Sequence, residues 1–219
     1  MRLYYHYCPG GFSNSYILGT DFDDEEPEDA AASREASPPR EALIVDPGIM
    51  DSGVLSLIED NNYSIRGILI THDHSHHTRG LKTIMKIYKT GIYAVNPEIM
   101  GHRTMRVQDG DIINLEPFKI EVITIPGHSA DSAVFKIDRL LFSGDVLSSG
   151  HAGNTSSSYA AATQINALKT KILSLPGDYI ILPGHGPPSS LGSERRFNMD
   201  LNSFDQQKDR RPVINIDLD

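Results

Sequence analysis

Four histidines fall within six residues of one stretch, Thr71-His72-Asp73-His74-Ser75-His76-His77, directly after the apolar run Ile68-Leu69-Ile70. Imidazole is the commonest metal-ligating side chain, and a ligand at the end of a strand is held in a fixed direction. Three more sites repeat the pattern, each after its own apolar run: Pro126-Gly127-His128, Ser143-Gly144-Asp145 and Pro183-Gly184-His185. His72, His74, His76, His77, His128 and His185 with Asp145 exceed the three or four protein ligands of a single zinc site. They suit two adjacent divalent metals, with Asp145 bridging; zinc is the first choice, with iron or manganese as alternatives. Such a centre keeps a position open for a water whose pKa the metal lowers to about 7.

The spacing says how the ligands would be aimed. In an extended backbone His72 and His74 point the same way, His76 continues the alternation, and His77 requires the chain to turn into a helix. Asp73 then faces away. It is assigned a supporting role, accepting a hydrogen bond from a ring N–H and so fixing a tautomer. Asp46, in the turn Asp46-Pro47-Gly48, is read as structural or as a second supporting carboxylate. His6, His102 and His151 have no partner motif and are read as ordinary histidines; His151 stands apart only in lying six residues past Asp145. Cys8 is read as packing.

The elements that must position these groups alternate along the chain. Strands are expected at Leu3–Tyr7, Tyr16–Leu18, Ala42–Val45, 67–71, Ile92–Val95, Asp111–Leu115, Phe118–Ile125 and Tyr179–Leu182, with a hairpin of Ala133–Ile137 and Leu140–Phe142 around Asp138-Arg139. Helices are expected at 52–60, at 78–89 with Leu81, Ile84, Met85 and Tyr88 on one face, at 159–173 with Ile165, Leu168 and Ile172 inward, and at 191–204. Two layers of sheet with helices outside would bring the ligand-bearing strand ends together.

Composition excludes several classes. At 219 residues, 39% hydrophobic and 22% charged, the chain has the make-up of an ordinary globular protein. It is read as one domain, 1–219, with a flexible acidic insertion at 21–40 and a polar tail at 205–219. The insertion holds eight carboxylates against Arg34 and Arg40, so it carries six of the nine net negative charges. The rest is only mildly acidic, and the sign of the total says little about the substrate. Lys82, Lys86 and Lys89 read as a solvated helix face, and no basic patch suggests nucleic acid. No apolar run approaches the ~20 residues of a membrane helix. The N-terminus lacks the pattern of a signal peptide, and the single cysteine argues for a reducing compartment, so a cytoplasmic location is expected.

Thr71-His72-x-His74-x-x-His77, Pro126-Gly127-His128, Ser143-Gly144-Asp145 and Pro183-Gly184-His185 together resemble the metallo-β-lactamase superfamily over residues ~40–190. The stretch Gly184-His185-Gly186-Pro187-Pro188, with Leu191-Gly192-Ser193-Glu194-Arg195 and Asn198, is similar to small glyoxalase II-like hydrolases. The resemblance implies an α+β fold, an αββα four-layer sandwich with metals at one edge between the sheets. It implies that His72, His74 and His128 hold the first metal, that His77 and His185 hold the second, and that Asp145 bridges. Where the family has His-x-His-x-Asp-His, this chain has His76 in place of the Asp. A neutral imidazole there leaves Asp145 as the only anionic ligand, which implies a weaker second site and a more acidic bound water. The alternative is that His76 points away and one metal binds.

The expected function is metal-dependent hydrolysis of a thioester or ester of a small molecule, hydroxyacylglutathione hydrolase-like, with Asp145 and His76 serving a metal-bound hydroxide. The longer glyoxalase II enzymes bind glutathione through a helical C-terminal region, whereas about 34 residues follow His185 here; Asn154-Thr155 also replaces the Arg-Thr of similar small hydrolases. The alternatives are a mononuclear iron persulfide dioxygenase and a non-catalytic metal-binding regulator. Oligomeric state is left open.

Overall fold

Burial on two faces or one decides which strands lie at the centre. The computed structural model describes residues 1–20 and 38–202. Most of the acidic stretch and the tail at 205–219 fall outside them. In chain order the strands are β1 (Arg2–Cys8), β2 (Ser13–Gly19), β3 (Arg40–Val45), β4 (Tyr63–Leu69), β5 (Gly91–Ala94), β6 (Glu98–Ile99), β7 (His102–Arg103), β8 (Met105–Arg106), β9 (Ile112–Leu115), β10 (Phe118–Thr124), β11 (Ala133–Ile137), β12 (Leu140–Gly144), β13 (Leu147–Ser148), β14 (His151–Ala152), β15 (Ile180–Pro183) and β16 (Ser189–Ser190). The helices are α1 (Ser52–Asp60), α2 (Ser75–Thr78), α3 (Leu81–Ile87), α4 (Ser158–Ala167), which continues as a π-helical turn at Leu168–Ile172, and α5 (Leu191–Phe197).

Two six-stranded sheets result, in the orders β1-β2-β3-β4-β5-β8 and β16-β15-β12-β11-β10-β9. Tyr16, Leu18, Leu43, Val45 and Leu69 of the first meet Phe118, Ile120, Val122, Phe135, Phe142 and Leu182 of the second in one buried core. Their neighbours along the strands point the other way, as a period of two requires. Ile17, Ile44 and Ile68 pack under Val54 and Ile58 of α1 and Leu81 and Ile84 of α3. Val134, Leu141 and Ile181 pack under Ile165 of α4, Leu168, Ile172 and Leu191 of α5. The central strands are covered on both faces, which is why they read as continuous apolar runs. The fold is the αββα sandwich that the resemblance implied.

The structure moves several boundaries. The expected strand 67–71 begins at Tyr63 and ends at Leu69. The expected helix 78–89 starts earlier, with α2 at Ser75, and resumes as α3 after Gly80. The expected helix 191–204 is interrupted at Asn198, which takes an extended conformation; residues 199–202 are helical again, and Asn198 Oδ1 accepts from Leu201 N at 3.1 Å. Arg40, assigned to the insertion, opens β3 and donates its backbone N–H to Asn62 at 2.9 Å. β6, β7, β8, β13, β14 and β16 are only two residues each, too short to show a period in sequence. Among the described residues no helix is long and apolar enough to cross a membrane.

Candidate metal centre

The carboxyl ends of β3, β4, β10, β12 and β15 meet at one edge of the sandwich. Backbone hydrogen bonds tie them there: Ala133 N to Thr71 O at 2.9 Å, Asn14 N to Gly184 O at 2.7 Å and Gly184 N to Gly144 O at 2.8 Å. Asn14 Nδ2 and the Tyr16 hydroxyl both donate to Pro183 O at 2.8 Å. Gly144 has φ +50, and a Cβ on it would stand 2.4 Å from Thr71 Oγ1, so only glycine lets the turn carrying Asp145 approach the histidine loop.

The ligand candidates converge on one atom, Asp145 Oδ2. It lies 3.6 Å from His72 Nε2, 3.6 Å from His128 Nε2, 3.4 Å from His77 Nε2 and 3.9 Å from His76 Nε2. His74 Nδ1 stands 2.9 Å from His72 Nε2 and 3.2 Å from His128 Nε2. Two overlapping donor groups follow, His72–His74–His128–Asp145 and His72–His76–His77–Asp145, each with its atoms within 4.8 Å of one another.

The local backbone corrects how His76 arrives and bears out the expected turn of His77 into a helix. His74 is extended at the N-cap of α2, but His76 sits in the first turn of that helix. Helical winding, not strand alternation, brings His76 and His77 to the centre.

Two of the rings are aimed by a second hydrogen bond, and a third lies against a carboxylate. His72 Nδ1 meets Thr71 Oγ1 at 3.1 Å, and His128 Nδ1 meets the Asn154 carbonyl at 2.8 Å. His77 Nδ1 lies 3.5 Å from Asp46 Oδ2. Asp46 is itself buried and accepts from Thr71 N at 2.8 Å and Thr71 Oγ1 at 2.6 Å. Burial pushes its carboxyl up to about 6, against the opposing pull of His77 and Thr71. Asp46 thus lies against a ring of the cluster. Asp73 does not: it is exposed, and Asn96 hydrogen-bonds its carboxylate with Asp131 alongside. The alternation that aims its neighbours inward turns Asp73 outward, beyond reach of a ring-fixing role.

His185 also differs from the position the resemblance implied. Its Nδ1 is 2.7 Å from Asp145 Oδ1 and its Nε2 is 3.3 Å from Gly11 O, so it belongs to neither donor group. It grips the carboxylate from behind. His151 pairs with Asp200 at 3.3 Å, away from the cluster. His6 lies between Asp51 Oδ2, at 3.1 Å from its Nε2, and Cys8 Sγ, at 3.6 Å from its Nδ1. That pairing had no sequence signal, because Asp51 is 45 residues away.

The protonation states suit a cation. Burial, then the neighbouring His77, pushes the His72 ring down to about 2. Burial, then His77 and His185, pushes His76 down to about 4, and burial with His128 lowers His74. Neutral rings are the ligating form. Burial alone would raise the Asp145 carboxyl, but hydrogen bonds from His185 and His77 hold it well below the usual range, so it stays anionic. Three ring nitrogens crowd together around His74 Nδ1, and His76 Nε2 is buried with no hydrogen-bond partner among the described residues. A divalent cation in each donor group satisfies both demands. The residues fit the metals.

The Metallo-beta-lactamase superfamily model matches residues 37–185, and the chain belongs to that superfamily. It is 28% identical over 188 residues to hydroxyacylglutathione hydrolase GloC of Haemophilus influenzae, covering 75% of this chain and 89% of that protein. It is 29% identical over 188 residues to hydroxyacylglutathione hydrolase of Francisella tularensis, covering 80% of this chain and 74% of that protein. Among solved structures it is similar to the BLEG-1 B3 metallo-beta-lactamase (TM-score 0.74, 21% identity, 91% of this chain and 99% of that one). It is also similar to ETHE1 from Myxococcus xanthus (TM-score 0.74, 17% identity, 97% and 93%). Those two likenesses concern the fold. Membership, the hydrolase relatives and the donor set support a metal-dependent hydrolase with a small-molecule substrate.

Proposed function

We propose that this chain is a two-metal hydrolase of thioesters whose substrates resemble the hydroxyacylglutathione named for its relatives. The observation that carries the reading is the single oxygen Asp145 Oδ2 shared by two donor groups. His72, His74 and His128 would hold the first metal with Asp145, and His76 and His77 would hold the second with the same carboxylate. Zinc suits this mainly imidazole set, and iron or manganese can replace it. When bound, the metals supply Lewis-acid chemistry: they acidify a water and polarise a carbonyl.

The chain's own residues do the rest. Asp145 stays anionic under the grip of His185 and offers one oxygen to both groups. Thr71 and the Asn154 carbonyl meet the outer nitrogens of His72 and His128, and Asp46 lies beside that of His77, so the inward nitrogens of all three rings face the cluster. A mononuclear dioxygenase would use one group and leave His76 Nε2 buried without a partner, so the two-metal reading accounts for more of the site.

The test is a purified protein loaded separately with zinc, iron and manganese, metal content counted, and assayed on a hydroxyacylglutathione. Hydrolysis that disappears on chelation and returns with about two metals per chain supports the reading. Hydrolysis that survives complete metal removal overturns it, as does oxygen uptake with a persulfide in place of thioester cleavage.

A further inference from the structure

Beside the donor groups lies a cavity of about 130 Å³, walled by the turn at 8–11, the turn at 48–50, and His76, Arg79 and Thr83. Its walls are tightly set. A Cβ on Gly48 would come 2.2 Å from the His76 carbonyl, and Ser13 Oγ donates to that carbonyl at 2.7 Å. Gly80 N donates to Pro47 O at 2.7 Å, tying the start of α3 to the second turn. His76 is both a wall of this cavity and a member of the second donor group. Whatever fills the cavity therefore abuts a residue of the second donor group.

The chemistry of the lining is that of an anion receptor. The Arg79 side chain is exposed and makes no ion pair or hydrogen bond among the described residues, although the chain carries a net charge of −9. Its planar fork of donors matches carboxylate or phosphate oxygens, and the Thr83 hydroxyl adds a neutral donor. Lys82 and Lys86 are exposed and also unpaired among the described residues, and helical spacing places them on the same face as Arg79. A small hydroxyacyl group offers no anion, so the charge must come from the thiol half.

We propose that this cavity receives a carboxylate or phosphate at the end of the substrate's thiol half, with Arg79 as its cation. The inference rests on the thioester reading and supplies the class of thiol. Arg79 selects substrates whose leaving thiol carries an anionic end. It is a specificity residue.

The experiment compares the native protein with Arg79→Met and Arg79→Lys on three thioesters of one acyl group: glutathione for carboxylates, coenzyme A for phosphates, and N-acetylcysteamine as the neutral thiol. Arg79→Met is expected to raise KM about tenfold on the anionic thioester that the native protein prefers, with kcat within about twofold, while the neutral thioester is unaffected. Arg79→Lys recovers part of the loss, and the preferred anionic thioester tells carboxylate from phosphate. Equal losses on all three thioesters, or no loss on any, overturn the proposal. Calorimetric titration of the zinc-loaded protein with S-methylglutathione and with S-methyl coenzyme A separates the two claims. Hydrolysis of none of the thioesters sinks the thioester reading. Binding that weakens in Arg79→Met still supports the anion cavity, and binding that is absent or indifferent to Arg79 sinks it.

Discussion

His185 Nδ1 meets Asp145 Oδ1 at 2.7 Å while the other oxygen of that carboxylate faces four imidazoles at 3.4 to 3.9 Å. One residue thus divides its two oxygens between a clamp on His185 and the place from which it would bridge the proposed metals. Asp145→Asn turns either the clamp or the bridge into an N–H donor. Loss of both metals is expected, with hydrolysis down at least a hundredfold, since supporting residues alone cost about 10 to 100-fold. Metal counting and the thioester assay on the same sample check it; a variant that keeps both metals contradicts the bridge.

His76→Asp puts an anion where a neutral ring now stands in the second donor group. Tighter occupancy of the second metal is expected, read by competition with a chelating dye, with the first metal unchanged. Unchanged stoichiometry and affinity would show that His76 is not a ligand.

Asp46→Asn removes the charge beside His77 Nδ1 and offers it an amide N–H. A drop of about 10 to 100-fold in affinity is expected at the second group, with the first group spared. Equal weakening of both would point to a collapse of the Thr71 turn, which Asp46 also holds.

The metal-free protein is expected to lose stability as pH falls below about 6.5. His72, His74 and His76 have folded pKa values below that of an unfolded histidine, so the unfolded chain takes up protons that the fold refuses. The loss from His76 is complete below about 4 and that from His72 only near 2. His185 is raised by its bond to Asp145 and acts with the opposite sign, favouring the fold at lower pH and losing that as pH rises through its own pKa. Asp46, raised to about 6 by burial, acts with the same sign as His185 and favours the fold as pH falls through about 6. Three rings outweigh these two groups. Urea midpoints of chelator-treated protein at pH 7 and pH 5 measure this, and a midpoint no lower at pH 5 contradicts it.

Phe142 is fully buried and packs edge-on against Tyr16 of the facing sheet, with ring centroids 5.5 Å apart. Phe142→Ala should cost about 3–5 kcal/mol in equilibrium unfolding. Because Gly144 and Asp145 follow on the same strand end, metal affinity should fall with it. A loss below about 1 kcal/mol would mean that the sheets do not meet as described.

Most of the strands were legible because central strands buried on both faces leave unbroken apolar runs, as Ile68-Leu69-Ile70 does. The two-residue strands were not, since pairing alone makes them strands. The turn into a helix at His77 was foreseen, but its start one turn earlier, which takes in His76, was hidden, because a run of polar residues carries no apolar period.

The sequence by itself determined the ligand types, their order after four strand ends, and the family and sandwich they imply, because those depend on local spacing and apolar patterning. It also showed the substitution at His76. Only the tertiary structure decided which nitrogen meets which oxygen. The partners of Asp145 lie up to 73 residues away along the chain, and their distances are set by how two sheets pack rather than by any local period. The same packing set Asp46 against His77 and placed His185 behind the carboxylate. It also left Arg79 beside His76 at the mouth of a cavity that no motif marks.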